Sequence, residues 1–581
     1  MRIIIDKDLS VPARDGTVLA TDVYRPEGRA PAAALVQRTP YGKDATGAAL
    51  GAIDALRAAQ AGYAVVVQDT RGRHGSHGGF DPFVHEADDG ADAVAWTADQ
   101  PWCDGTVGMV GMSYHGATQW LAATRAPAAL RAIAPLLTGA DYYEGWTYQG
   151  GAFHLGLALD WALSTLGLGD LERRVAAGEA TREQLLATIA DADRVSALYE
   201  RLPLRDLPEV AGLAPYYATW LSHPTYDAYW RAIAPCERYA DIAVPALNVG
   251  GWYDLFLGGT LRNYTGMRRH GGSDRARTLQ RLVVGPWSHA LRDGYFPDRD
   301  YGLLAGADGM DLTGLQLRWF DHVLRGRDNG VDRDPPVRIF VMGVDQWRDE
   351  DDWPLPDTAW TDVFLHSAGR ANTAAGDGAL STQPPADEPS DAFLSDPRNP
   401  VPTSGGPTYL PYQGVGVGVG PHDQRAVERR EDVLCYTSAP LERPVEVTGP
   451  VTLTVYVSSS APDTDITGKL VDVHPDGRAE HLTDGILRAR YRESASDPQP
   501  LEPGRVFELR IDLWATANVF AAGHRIRLEI AGSNFPRFDR NAHTGGVNAD
   551  VGWDDLRRAV NTVHHSRSYP SRLTLPVIDR R

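Results

Sequence analysis

Two strand patterns with different burial demands divide this chain. In its first part, short continuous apolar runs alternate with helical signals. Ala32–Gln37 reads AAALVQ, Tyr63–Gln68 reads YAVVVQ, and Gly108–Val110 continues the series after the turn Asp104-Gly105. Alanine-rich stretches at Gly47–Ala61 and Asp88–Ala98 fill the gaps as helices. Strands apolar on both sides need cover on both sides, so the pattern predicts a mostly parallel sheet with helices on each face. After about Trp353 the pattern changes to period two. Val451, Leu453, Val455 and Val457 alternate with Thr452, Thr454 and Tyr456, and Ile526, Leu528 and Ile530 alternate with charged residues. Such strands bury one face only, as in a sandwich or jelly roll. Ser367–Pro407, rich in Gly, Pro, Ala, Ser and Asp, reads as a long irregular connection, and Gly414–Gly420 as a flexible loop.

Between these parts the texture is helical. From about Asp141, aromatic residues cluster and a charged helical stretch follows. Thr181 and Gln184 form a capping-box signature, with Leu185 and Ile189 on one face of the helix behind it. Strand signals return at Val244–Val249 and Arg281–Val284, followed by a helix at Leu315–Leu324. The expected division is a catalytic domain over residues 1–141 and 241–352, a helical cap over 142–240, and a β jelly roll over 353–581.

Composition removes several function classes. The net charge of −19 disfavours a polyanionic partner, because phosphate neutralisation needs a basic face. Lysine occurs only at Lys7, Lys43 and Lys469, leaving few candidates for Schiff-base or phosphate-loop chemistry. The three cysteines, Cys103, Cys236 and Cys435, are far apart and suggest neither a disulfide framework nor a zinc site. His74, His77, His85 and Glu86 match no strong metal signature. The N-terminal apolar run is only three isoleucines long, so no signal peptide is expected. No apolar segment approaches the ~20 residues needed to span a bilayer, so the default location is cytoplasmic. No cofactor is expected.

The chemistry centres on GMVGMSYHGATQW, Gly108–Trp120. A serine between glycines, after a strand and before a helix, is where an α/β-hydrolase keeps its nucleophile. The usual pattern has glycine two residues after the serine. Here that position is His115, and the glycine comes one residue later, at Gly116. A serine hydroxyl needs a histidine to take its proton and a carboxylate to orient that histidine. Both follow in the order this fold requires. Val244–Val249 leads to Asp254, and Arg281–Val284 leads to His289. Loops after parallel strands share one edge of the sheet, where active sites form. Singly, Ser113 could be a turn serine, Asp254 a helix cap and His289 a loop histidine. Their order and shared context favour Ser113, Asp254 and His289 as a catalytic triad.

At these residues the chain resembles the cocaine-esterase-like (CocE/NonD) hydrolases, which are related to X-prolyl dipeptidyl aminopeptidases. GMSYHGATQW resembles that family's elbow, GGWYDLF and LVVGPWSH its acid and histidine loops, and VQDTRGRHGSHGGF its Asp-x-Arg-Gly segment. DPRNPVPTSGG, HPDGRA and GHRIRLEIAGSNFPRFDRN extend the likeness over nearly the whole chain. The resemblance implies an α/β-hydrolase with a cap and a jelly roll. It implies an oxyanion hole made by the Tyr114 N–H and the Tyr41 hydroxyl. It also implies an aromatic acyl pocket at Trp146, Trp161 and Phe256, with Tyr409 and Leu410 contributing from the third domain. Arg71 is expected to hold its loop through a carboxylate.

Three activities follow: hydrolysis of esters with a bulky apolar acyl group, X-Pro dipeptidyl aminopeptidase action, and α-amino-acid ester hydrolysis or β-lactam acylation. The last two must hold an ammonium group, yet the residues after Asp254 include Phe256 and Leu257, which are apolar. Asp141, Glu144 and Asp160 remain as charges the cap could supply. The esterase reading is favoured. A carbohydrate-binding jelly roll on a degenerate hydrolase is the non-enzymatic alternative, and a homodimer is an open expectation.

Overall fold

The computed structural model describes residues 2–28, 30–44, 53–409 and 418–580. The central sheet has ten strands: β1 (Ile3–Pro12), β2 (Val18–Pro26), β3 (Ala32–Thr39), β4 (Ala64–Asp69), β5 (Cys103–Met112), β6 (Leu130–Leu136), β7 (Leu247–Tyr253), β8 (Arg281–Ser288), β9 (Val337–Val341) and β10 (Gln346–Glu350). Their spatial order is β1-β2-β4-β3-β5-β6-β7-β8-β9-β10. Pairing is parallel from β4 through β3 to β9 and antiparallel at both ends, where β2 pairs with β4, β1 with β2, and β10 with β9. The sheet is therefore mixed, as its apolar centre and more polar first strand require. All residues of β4, β7 and β8 are buried, whereas β1 has exposed residues along its length.

Two strands run further than their apolar runs predict. β7 continues through Gly250-Gly251-Trp252-Tyr253, and β8 through Gly285-Pro286-Trp287-Ser288. The two glycine-bearing ends lie against each other. A Cβ on Gly251 would come within 2.3 Å of the Trp287 carbonyl oxygen, so glycine there lets the backbones close. As a result Asp254 and His289 each stand one residue past a strand rather than deep in a loop.

Helices pack around this sheet. The predicted Gly47–Ala61 helix is described only from Ala55 to Gln60, since residues 45–52 lie outside the described residues. Glu86–Ala98 and Leu312–Val323 are helical, within a few residues of their expected bounds. Between β6 and β7 lies the helical segment, with the Thr181–Gln184 capping box formed in both directions. That helix turns Thr188 and Ala192 inward, whereas Leu185 is half-buried and Ile189 exposed, so its expected apolar face is not the buried one.

The C-terminal part is a separate β domain with an eleven-stranded sheet between Thr358 and Ile578, almost entirely antiparallel. Two of its strands, Ala379–Ser381 and Asp391–Ser395, fall inside the segment expected to be irregular. Asp391–Ser395 pairs with Ala559–His564 and alternates buried and exposed, with Phe393 in the core. Five residues carry that strand, too few to outweigh the Gly, Pro and Ser around them in a composition window. The β domain shares one apolar cluster with the central sheet, in which Trp252, Leu282 and Val337 join Val447, Leu513 and Leu528. An ion pair reinforces the seam: Arg348 on β10 pairs with Glu446 of the β domain at 2.5 Å. The β domain also holds the helical segment, since Asp539, paired with Arg488 at 2.7 Å, accepts the Phe153 N–H at 2.9 Å. Among the described residues, no helix is long and apolar enough to cross a membrane.

Candidate active site

Ser113 stands between β5 and the helix Tyr114–Ala123 with φ 62° and ψ −123°. A non-glycine residue in this conformation costs of order 1–3 kcal/mol, and such strain concentrates at functional sites. The neighbouring glycines explain the late-glycine pattern. A Cβ on Gly111 would lie 2.3 Å from the Cβ of His115, so the side chain two after the serine fills the space beside the strand end. A Cβ on Gly116 would lie 2.7 Å from Thr138, where the helix meets the end of β6. Thr138 in turn donates its hydroxyl hydrogen to the Ser113 carbonyl at 2.8 Å, holding the turn. The close approach that glycine permits is thus made at Gly116, one residue later than usual.

Three strand ends bring the predicted residues together. His289 Nε2 is 3.0 Å from Ser113 Oγ, and His289 Nδ1 is 2.7 Å from Asp254 Oδ1. Asp254 is fully buried, and Ser113 and His289 are nearly so. Phe256 meets the His289 ring edge-on at 5.1 Å and Tyr409 at 5.7 Å. The imidazole is therefore held from the acid side by a carboxylate and from its faces and edges by aromatic rings.

Tyr41 lies two residues past β3. Trp161 Nε1 donates to its hydroxyl oxygen at 3.1 Å. Indole is a donor only, so the tyrosine oxygen accepts and its own hydrogen is left to point elsewhere. Burial raises the Tyr41 pKa, which keeps the group a neutral donor. Tyr114 opens the helix after the serine, where N–H groups lack intrahelical partners. Its side chain is fixed below the turn: the hydroxyl donates to Glu86 Oε1 at 2.9 Å and accepts from the Phe83 N–H at 2.9 Å. Glu86 is also paired with buried Arg38, so it serves this anchor. Arg71 pairs with Asp89 at 2.6 Å and Asp15 at 2.7 Å, as a loop-holding role requires.

A cavity of about 480 Å³ opens onto Ser113 and His289. Trp146, Trp161, Phe256 and Tyr409, named above as candidate pocket residues, all line it; Leu410 lies outside the described residues. Trp146 and Phe256 stack at 4.0 Å. Met112, His115, Leu157, Thr165, Ala290 and Arg292 also line it, and sequence reasoning did not single them out for the pocket. Trp161 and Thr165 reach it from one π-helical turn, Trp161–Gly167, whose period no apolar pattern reveals. Arg292 follows His289 by three residues, a position that proximity alone could have flagged.

Among the described residues, no carboxylate lines this cavity. Asp141 faces Arg262 at 3.6 Å and accepts two backbone N–H groups. Glu144 lines a different cavity, of about 580 Å³, with Arg262, Asp512 and Trp514; Ser113, Asp254 and His289 do not border that space. Asp160 accepts from the Ser164 hydroxyl at 2.9 Å, and burial pushes its pKa up to about 6.

The chain is similar to known proteins along nearly its whole length. The family model for the X-Pro dipeptidyl-peptidase (S15 family) matches residues 15–291, and that for the X-Pro dipeptidyl-peptidase C-terminal non-catalytic domain matches residues 329–574. A cocaine esterase of Rhodococcus sp. (strain MB1 Bresler) is 42% identical over 99% of this chain and 99% of its own. Among solved structures, an aminopeptidase from a Thaumarchaeota archaeon superposes with TM-score 0.81 at 26% identity, covering 99% of this chain and 96% of its own. An α-amino acid ester hydrolase superposes with TM-score 0.80 at 25% identity and the same coverage. Likeness of this extent, from the first strands to the last, makes the chain a member of the cocaine-esterase-like (CocE/NonD) family of serine hydrolases, akin to the X-Pro dipeptidyl-peptidases.

Proposed function

We propose that this hydrolase cleaves carboxylic esters with a bulky apolar, preferably aromatic, acyl group. The observation that carries the reading is the wall of the cavity at Ser113: stacked Trp146 and Phe256, with Trp161 and Tyr409, and no carboxylate among the described residues. An ammonium group brought here would lose its hydration without gaining a counter-charge, and Arg292 would repel it. The α-amino-acid ester and X-Pro readings need such a counter-charge.

In this mechanism Ser113 Oγ attacks the ester carbonyl while His289 Nε2 takes its proton. Asp254 fixes the Nδ1–H tautomer and stabilises the imidazolium. Tyr41 O–H and Tyr114 N–H receive the oxyanion. His289 returns the proton to the departing alcohol, and water then opens the acyl-enzyme by the same steps in reverse. We read the helices over residues 142–240 as a cap, because they supply Trp146, Leu157 and Trp161 to the pocket. We read residues 353–581 as a jelly roll that closes the pocket with Tyr409, and residues 1–141 and 241–352 as the catalytic domain.

Replacing Tyr41 with Phe is expected to lower kcat about 10²–10³-fold with KM little changed, because the lost donor acts on the tetrahedral intermediate. A change confined to KM would remove Tyr41 from the oxyanion hole. The substrate reading is tested by rates on an aryl benzoate, a short acyl ester, a Gly-Pro arylamide and an α-amino-acid ester, with Ser113→Ala as control. The benzoate is expected to lead, with both ammonium-bearing substrates at least about tenfold slower in kcat/KM, since an uncompensated buried charge costs several kcal/mol. Serine-dependent preference for either of those two would overturn the acyl assignment and leave the triad standing.

A further inference from the structure

The β domain holds a second cluster of chemistry-bearing side chains that ester hydrolysis does not use. Strands Asp465–Val473, Ala479–Arg488 and Arg525–Ala531 lie side by side, with the first in the middle. Their register sets Asp472 directly opposite Glu480 on one neighbour and Ile526 on the other. The turn joining the first two strands begins with His474, and the residue before the third strand is His524. Both turns close at the same end of the sheet. The two imidazole rings stand 4.3 Å apart. His524 Nδ1 is 2.8 Å from Asp472 Oδ1, and His474 Nε2 is 3.4 Å from Glu480 Oε2. One ligand atom from each of Asp472, His474 and His524 lies within 4.8 Å of the other two, and this is the one such His, Cys, Asp or Glu group among the described residues.

We propose that Asp472, His474, His524 and Glu480 bind a divalent transition-metal ion, with zinc the best match to two imidazoles and two carboxylates. Tetrahedral zinc with bonds of about 2.0–2.2 Å holds neighbouring ligand atoms about 3.4 Å apart, close to the 2.8 Å between His524 and Asp472 and the 3.4 Å between His474 and Glu480. The outer contacts fit a held ligand set. Asn518 Nδ2 donates to Asp472 Oδ2 at 3.4 Å and leaves Oδ1 facing the imidazole. Glu480 is nearly buried, yet its Oε2 receives no hydrogen bond and only the two ion-pair contacts of His474 and Arg478.

Arg478 is the competitor. Its Nη2 lies 3.0 Å from His474 Nε2 and 3.3 Å from Glu480 Oε2, while Nη1 donates to the Asp298 carbonyl at 3.2 Å. It sits on the turn itself and is part-exposed, so an ion can displace it toward solvent. The pair Arg299 and Asp345, 2.7 Å apart, adds no net charge beside Glu480. An ion bound here would tie two turns of the β domain together beside Asp298, in the segment that follows His289.

The test uses the full chain stripped with a chelator and dialysed against zinc. The wild type is expected to bind one equivalent. His474→Ala and His524→Ala are each expected to weaken binding at least about tenfold, the scale on which metal-site residues act. Arg478→Ala, which removes the competing cation, is expected to bind at least as tightly as wild type. Cobalt(II) in place of zinc should give visible absorption bands in the wild type and Arg478→Ala, and not in the histidine variants. Ester turnover should be unchanged in all four proteins, which shows that each is folded and keeps this test separate from the Ser113 reading. No zinc bound at about 100 µM, undiminished binding in the histidine variants, or loss of binding in Arg478→Ala would each overturn the site.

Discussion

Ser113→Ala is expected to lower kcat for an aryl ester by about 10⁶-fold, the loss seen when a serine triad is deprived of its nucleophile. The size of the effect follows from what remains. In the proposed mechanism, without Oγ His289 has no proton to take from the enzyme, and the oxyanion donors can act only on direct attack by water. Folding should survive the change. The Ser113 side chain caps nothing in its helix, and the turn is held by the Thr138 hydroxyl on the Ser113 carbonyl, which alanine retains. The strained φ of 62° also persists in alanine, so no strain is released that would confuse the comparison. The measurement pairs single-turnover rates with circular dichroism and thermal unfolding on the same preparations. A folded variant with an undiminished rate would sink the assignment. A variant that unfolds would instead mean that Oγ has a structural duty its contacts do not suggest.

How much of this was legible beforehand differs by kind of signal. The central sheet could be read because β3, β4 and β5 are short apolar runs with no alternative use. Their ends could not, because Gly250-Gly251 and Gly285-Pro286 look like turn residues. Only the close contact of the two strand ends, at the Trp287 carbonyl, keeps them extended. Ser113, Asp254 and His289 were legible as an ordered set, since each follows a strand of the same parallel run. The aromatic pocket came from resemblance, and its remaining wall shows why. Leu157, Thr165 and Arg292 reach the cavity from a helix, a π-helical turn and a loop, so their convergence is a property of the packed chain. Asp141 and Glu144 illustrate the reverse error. Their place beside the aromatic cluster made them candidate counter-charges, yet backbone direction sends them toward Arg262.

Asp254→Asn should be the second most damaging change, lowering kcat by about 10⁴-fold while leaving the fold in place. In the proposed mechanism Asp254 touches no substrate and acts through His289. As a carboxylate it is acceptor-only, so the Nδ1 that faces it at 2.7 Å must carry the hydrogen and Nε2 must present its lone pair to Ser113 Oγ at 3.0 Å. Asparagine has nearly the same shape but offers an N–H₂ group as well as an oxygen. If the amide donates to Nδ1, the imidazole hydrogen moves to Nε2, and His289 can no longer take the serine proton. The full burial of Asp254 sharpens the effect, because no water is at hand to replace the lost charge when the imidazolium forms. A merely structural aspartate would give a different pattern: loss of thermal stability, with the surviving folded fraction fully active. The discriminating observable is the imidazole Nδ1 proton, expected far downfield in the proton NMR spectrum of the parent and absent from that position in Asp254→Asn. Retention of that resonance together with near-normal turnover would remove Asp254 from the relay and leave Ser113 and His289 to be explained as a pair.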